Sequence, residues 1–278
     1  MNMQISAITL GVEDTTRATR FYREGLGCAI KDDHGEFVAL SLGAGSSTLA
    51  LYRREALAAD AGVAPHGSGF PDFTLSFIVY SAAGVDAVLA AAERAGATIT
   101  RLAKRQFWGG YSGYFTDPDG YHWKVASPTG PPMVRRRTTG QVRVEERAPV
   151  KPEETAVTIG VKDIKQLRQF YSEGLACPVD KGYRKFVSFK LGTGSSTFAL
   201  YTRDGLAADA GVAADGSGFR GFTLSYILDS ARDVDEVLAA ARRAGGEISK
   251  PPEAQPWGGY SGYFTDPDGT LWKVAAAT

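Results

Sequence analysis

The sequence has little of the two side chains that most often hold metals or form redox pairs: two cysteines and three histidines in 278 residues. Cys28 and Cys177 stand 149 residues apart, so they are not a local pair, and each reads as a small buried hydrophobe. A surplus of one charge is also missing. The 31 basic residues balance 31 acidic ones, so no net field recruits nucleic acid or an anionic membrane. A small-molecule partner is expected instead. No stretch reaches the roughly 18 uninterrupted apolar residues of a membrane-spanning helix. The opening MNMQISAITL has no basic segment ahead of a long apolar one, which points to a cytoplasmic protein. With 44% hydrophobic residues, the chain can bury one or two ordinary cores.

What the sequence has in plenty is itself. WGGYSGYFTDPDG runs from Trp108 to Gly120 and returns unchanged from Trp257 to Gly269. The same offset of 149 aligns GVEDTTRATRFYREGL from Gly11 with GVKDIKQLRQFYSEGL from Gly160, and GSSTLALY from Gly45 with GSSTFALY from Gly194. It also aligns LAADAGV from Leu57 with LAADAGV from Leu206. A period this long is a duplicated domain rather than a solenoid repeat. The expected organisation is a first domain over 1–128, a charged, proline-containing linker over 129–154, and a second domain over 155–278. The basic run Arg135 to Arg137 lies in that linker beside Glu145, Glu146, Glu153 and Glu154, and reads as a solvated segment.

Within each copy the periodicities alternate. Residues 5 to 12 read as a strand, Asp14 as a helix cap, and the stretch to Leu26 as an amphipathic helix with Phe21 and Tyr22 inward. Short strands follow near 36–41 and 47–52, then a glycine-containing loop ending at Phe70. The order then begins again, with a strand from Phe73, a helix from Val85 stopped by Gly96, and strands ending in YSGYFT and YHWKVA. Each copy is two βαβββ units, so the chain has four, in an α+β fold with mixed sheets.

DPDG is a turn: Pro118 presets its second position and Gly120 accepts positive φ. If Thr116 and Tyr121 flank it, Tyr111, Gly113, Phe115, His122 and Lys124 share one face, free to line a concavity, while Ser112, Tyr114, Trp123 and Val125 pack on helices. In the second copy the concave set is Tyr260, Gly262, Phe264, Leu271 and Lys273. Small residues on one face of the neighbouring strands, Thr74 and Ser76 with Thr223 and Ser225, make room for a ligand or for close packing.

FYREGLG after a short strand, the VD-headed helix ending in AGA, and FTDPDGYHWKVA together resemble the vicinal oxygen chelate superfamily of glyoxalase I, extradiol dioxygenases and bleomycin resistance proteins. The resemblance covers about nine-tenths of the chain. It implies two tandem glyoxalase-like domains, paired βαβββ modules curling around a cavity, and a fused pair standing in for a homodimer, hence a monomeric chain. It also assigns metal-ligand positions, which fall on Ala7, Thr74 and Lys124 in the first copy and on Ala156, Thr223 and Lys273 in the second. An ammonium does not coordinate a divalent cation. The expectation is therefore a protein with no metal and no cofactor.

The resulting reading is a metal-free binding protein that sequesters an aromatic or amphipathic compound, such as an antibiotic or a related metabolite, as the superfamily's resistance proteins do. Tyr111, Phe115 and Trp108, with Tyr260, Phe264 and Trp257, would stack on the ligand, His122 would lie beside it, and Lys124 and Lys273 would meet an acidic group on it. The alternative is a metal-independent lyase, isomerase or cyclase of a biosynthetic pathway, with Lys124 or Lys273 as base or Schiff-base nucleophile and Tyr111 or Tyr260 as proton donor.

Overall fold

The computed structural model describes residues 3–107, 109–130, 154–256 and 258–277. Trp108 and Trp257, and residues 131–153 of the expected linker, lie outside the described residues.

Four modules follow one another. The first holds β1 (Ala7–Val12), α1 (Thr15–Arg20), β2 (Ala29–Asp33), β3 (Phe37–Ser41) and β4 (Thr48–Arg53). A connector carries α2 (Arg54–Ala61) and the short β5 (Gly67–Gly69) into the second module: β6 (Phe73–Ile78), α3 (Ala82–Arg94), β7 (Thr98–Arg105), β8 (Tyr111–Thr116) and β9 (His122–Ser127). The second copy repeats the plan. Its third module has β10 (Glu154–Val161), α4 (Ile164–Gln169), β11 (Val179–Gly182), β12 (Phe186–Phe189) and β13 (Thr197–Thr202), followed by α5 (Arg203–Ala210) and β14 (Gly216–Gly218). The fourth has β15 (Phe222–Leu228), α6 (Ala231–Arg243), β16 (Glu247–Ala254), β17 (Gly259–Thr265) and β18 (Leu271–Ala277).

Local chemistry sets the helix boundaries. The Asp14 carboxylate accepts from the Arg17 N–H and starts α1, and the Ser81 hydroxyl accepts from the Gly84 N–H and starts α3. A π-helical turn over Phe21–Gly25 follows α1 and directs Phe21 and Tyr22 into the core. Where the sequence suggested only a loop, α2 forms: an alanine-rich turn stopped by Gly62 in the left-handed conformation, φ 71°.

The modules pair across the copies. One eight-stranded sheet runs β16-β17-β18-β15-β1-β4-β3-β2 and so joins the fourth module to the first; the other runs β11-β12-β13-β10-β6-β9-β8-β7 and joins the third to the second. The seams are antiparallel, β1 on β15 and β6 on β10, whereas β1–β4 and β6–β9 are parallel, giving mixed sheets. α3 and α6 cover one face of these sheets, and the large apolar side chains beneath them form a single core running through all four modules. At the pseudo-twofold axis Phe73 stacks on Phe222 with centroids 4.0 Å apart, and β5 pairs with β14. No helix among the described residues is long and apolar enough to cross a membrane.

Candidate functional site

The hairpin decides what each sheet shows on the face opposite these helices. Thr116 pairs with His122, not Tyr121, because the loop spans three residues, Pro118 to Gly120, inside an Asp117–Tyr121 bridge. The buried Asp117 carboxylate builds this loop by accepting the N–H groups of Asp119 and Tyr121 at 3.0 and 2.9 Å. A one-residue change of register moves one strand's side chains to the other face. The expected concave set is therefore divided. Phe115 pairs with Trp123 in the core beneath α3, with the two rings stacked at 6.1 Å, and Gly113 packs under Leu89. Tyr111 turns to α3, where its hydroxyl donates to Asp86 at 3.0 Å. Phe264 and Tyr260 repeat these placements, with Tyr260 donating to Asp235 of α6. These four aromatic residues do not reach the inner face.

His122 and Lys124 do face inward, together with Ser112, Tyr114, Thr74 and Ser76, since paired positions share a face. The corresponding cleft on the other sheet holds Leu271, Lys273, Tyr263, Thr223 and Ser225. Each lysine is paired by a carboxylate from the other copy. Lys124 Nζ lies 3.3 Å from Asp209 of α5, and Lys273 Nζ lies 2.9 Å from Asp60 of α2. Tyr114 donates to Asp209 at 2.9 Å, and Tyr263 donates to Asp60. Every cleft is thus completed by a helix of the opposite copy. Beyond the triads, the inner faces are lined by Ala50 with Tyr52 and by Ala199 with Tyr201, and the two tyrosines meet Phe37 and Phe186 edge to face.

Burial sets the electrostatics. It raises the Tyr114 and Tyr263 phenols well above their ordinary range, and the adjacent Asp209 and Asp60 charges add to this. Burial also works against ionisation of Asp60, but the Lys273 ammonium and its hydrogen bond outweigh it and hold the carboxyl below its usual value. In the Lys273 cleft the Thr223 hydroxyl is buried without a hydrogen-bond partner, an open donor in the cleft floor.

His122 sits against Phe70 and within 3.0 Å of the Thr116 hydroxyl, and burial lowers it to about 4. An imidazole depressed below its unfolded value of about 6.5 contributes stability that is complete above that pH and is lost as pH falls toward 4. His122→Leu, the residue of the second copy, is expected to remove that loss. Between pH 7 and pH 4 the parent should lose on the order of 3 kcal/mol relative to the variant in urea unfolding. An unchanged difference would show that His122 stays solvated.

The metal-ligand positions that the resemblance assigns fall on Ala7, Thr223 and Lys273 in one cleft and on Ala156, Thr74 and Lys124 in the other. A methyl, a hydroxyl and an ion-paired ammonium do not make a divalent-cation donor set, so the residues present do not fit the superfamily metal. Among the described residues no three His, Cys, Asp or Glu side chains gather as a metal group.

Sequence reasoning missed Asp60, Asp209, Tyr52 and Tyr201. The signal was present in the repeated LAADAGV, whose alanines favour a helix, and in the alternation that puts Tyr52 in line with Thr48 and Ala50.

A model of the Glyoxalase/Bleomycin resistance protein/Dioxygenase superfamily matches residues 4–125 and 155–274. Glyoxalase I from Zea mays superposes with a TM-score of 0.64 at 18% identity, covering 99% of this chain and 92% of that one. A putative dioxygenase from Bacillus subtilis subsp. subtilis str. 168 gives 0.62 at 16% identity, covering 99% and 85%. Likeness at this identity concerns the fold. A comparison with curated proteins gives no match.

Proposed function

The chain belongs to the Glyoxalase/Bleomycin resistance protein/Dioxygenase superfamily, and from that premise we propose that it is a metal-independent small-molecule binding protein that sequesters an aromatic or amphipathic compound, such as an antibiotic or related metabolite, in its two clefts. The observation that carries this reading is the cross-copy Lys–Asp–Tyr triad beside the positions where the superfamily holds its metal. A paired ammonium and a phenol held protonated offer hydrogen bonds and a polarised wall. They make no set of donors for a divalent metal ion that would polarise a substrate oxygen. Tyr52 and Phe37, with Tyr201 and Phe186, supply the aromatic surface that the hairpin residues turned away. The unpartnered Thr223 hydroxyl supports a ligand acceptor in the Lys273 cleft.

A second reading, metal-independent lyase or isomerase chemistry, is favoured by the same triads, in which Tyr114 or Tyr263 would act as a proton donor beside Asp209 or Asp60. One experiment separates the two. The full chain is titrated calorimetrically with a panel of aromatic antibiotics in the presence of chelator, and each compound is recovered and weighed by mass spectrometry. Binding with the compound returned intact is expected, and Lys124→Met with Lys273→Met should weaken it roughly tenfold, the loss of about one charge-assisted hydrogen bond. A chemically altered compound would favour the enzyme reading, and loss of binding on chelation would count against both.

A further inference from the structure

Near the pseudo-twofold axis the two copies differ at Pro71 and Asp72 of the first, which stand opposite Arg220 and Gly221 of the second. Asp72 and Gly221 both adopt the left-handed conformation, φ 53° and 82°, which aspartate tolerates better than most residues. Asp72 is buried, and its carboxylate meets Arg203 Nε at 2.5 Å and Arg220 at 3.3 Å. Arg54 is the equivalent of Arg203, since each begins the helix after the fourth strand of its module.

Arg54 has no such counter-ion. Its Nε donates to the Pro65 carbonyl at 3.1 Å, a terminal nitrogen donates to the Phe219 carbonyl at 2.8 Å, and the Phe219 ring lies 5.3 Å from its Cζ. No carboxylate lies within ion-pair distance of it among the described residues. A Cβ at Gly221 would meet the Arg54 guanidinium and the Tyr121 hydroxyl, so the cation lies where the missing side chain would be. A guanidinium neither loses its charge nor goes unpaired cheaply when part-buried.

The space in front of it is a cavity of about 470 Å³ lined by both copies, Arg54, Arg203, Arg220 and Lys162 among them. The carboxylates around it are already engaged. Asp72 is held by its two arginines, Asp119 by Arg17 at 2.8 Å and the Glu13 N–H, and Asp268 by the Lys162 N–H. Lys162 stands where the first copy has Glu13, so the second copy adds a cation at this rim.

We propose that this cavity binds a small carboxylate-bearing molecule, its carboxylate held by the terminal Nη1 of Arg54, the nitrogen that neither backbone carbonyl occupies. A guanidinium N–H to a carboxylate is a strong, charge-assisted hydrogen bond, and the volume lies within the usual range for small-ligand pockets, roughly 300–1,000 Å³. The site shares no residue of the Lys–Asp–Tyr triads of the two clefts.

The test is calorimetric titration and thermal unfolding of the full chain with succinate, and with inorganic phosphate as the other oxyanion, at ionic strength held constant with sodium chloride. Succinate is expected to bind one site per chain and to raise Tm, phosphate to bind more weakly. Arg54→Gln should weaken succinate at least tenfold. Gly221→Asp with Tyr121→Thr brings a carboxylate of the chain itself to Arg54, with Thr at 121 as the second copy has at 270, and should abolish succinate binding. This double variant decides the matter should Arg54→Gln fail to fold. No succinate response in the parent, or unchanged affinity in the double variant, overturns the site; phosphate binding more tightly than succinate overturns the carboxylate assignment.

Discussion

Residues 1–130 expressed alone are expected to run as a homodimer in sedimentation equilibrium at about 10 μM, because the first copy cannot complete either of its sheets. In the full chain β1 bonds to β15 and β6 to β10, so removing the second copy strips one long edge from each module. The exposed edges carry Ile8, Leu10, Phe73 and Leu75, all fully buried in the intact protein. An unpaired apolar edge finds a partner. A second first copy supplies that partner in the same register, and it also supplies charge balance: Arg54 of each chain faces Asp72 of the other. The second copy alone, residues 150–278, brings four guanidiniums from two Arg203 and two Arg220 to the axis and no Asp72. Its dimer should be at least tenfold weaker, and Gly221→Asp should strengthen it. A folded, monomeric first half would overturn the cross-copy account of stability.

The expectation of four βαβββ units came from repetition and periodicity, and those are properties of each module by itself. Which module pairs with which was not legible, because the first strands of equivalent modules carry the same alternation: Ile8, Leu10 and Val12 correspond to Val157, Ile159 and Val161. Pairing within a copy and pairing across copies therefore have the same local pattern. The candidate site was legible in half. Thr74, Ser76, His122 and Lys124 were assigned to the inner face, where they lie, through alternation along single strands. Tyr111 and Phe115 were misplaced, since DPDG announces a turn in which Asp117 bonds back to the backbone but not that these bonds close a three-residue loop, which pairs Thr116 with His122 rather than Tyr121. Asp60 and Asp209 lie on a helix that LAADAGV announces, but their place beside the lysines rests on a long-range contact between the copies that no local pattern encodes.

Asp117→Ala should cost about 3 kcal/mol in urea unfolding at pH 5, the effect of opening a buried hydrogen-bond network. The carboxylate accepts from the Tyr22 hydroxyl as well as from the Asp119 and Tyr121 N–H groups, and Tyr22 in turn accepts from the Trp123 indole at 3.3 Å. One side chain therefore ties the π-helical turn to the loop that fixes the hairpin register. Asp266 makes the equivalent connection, accepting from Tyr171 at 2.7 Å, with Trp272 donating to Tyr171 at 3.0 Å. Burial raises Asp117 to about 6 against the hydrogen bonds that favour its charged form. A carboxyl raised in the folded state contributes stability that is complete below its unfolded value, about 3.9, and is lost as pH rises through about 6. The deficit of Asp117→Ala should therefore shrink by roughly 2 kcal/mol between pH 4 and pH 7, opposite in sign to the His122 effect. A deficit that grows with pH would mean the carboxylate is better solvated than its burial implies. Double substitution at Asp117 and Asp266 should come out near the sum of the single effects, because the two networks share no residue.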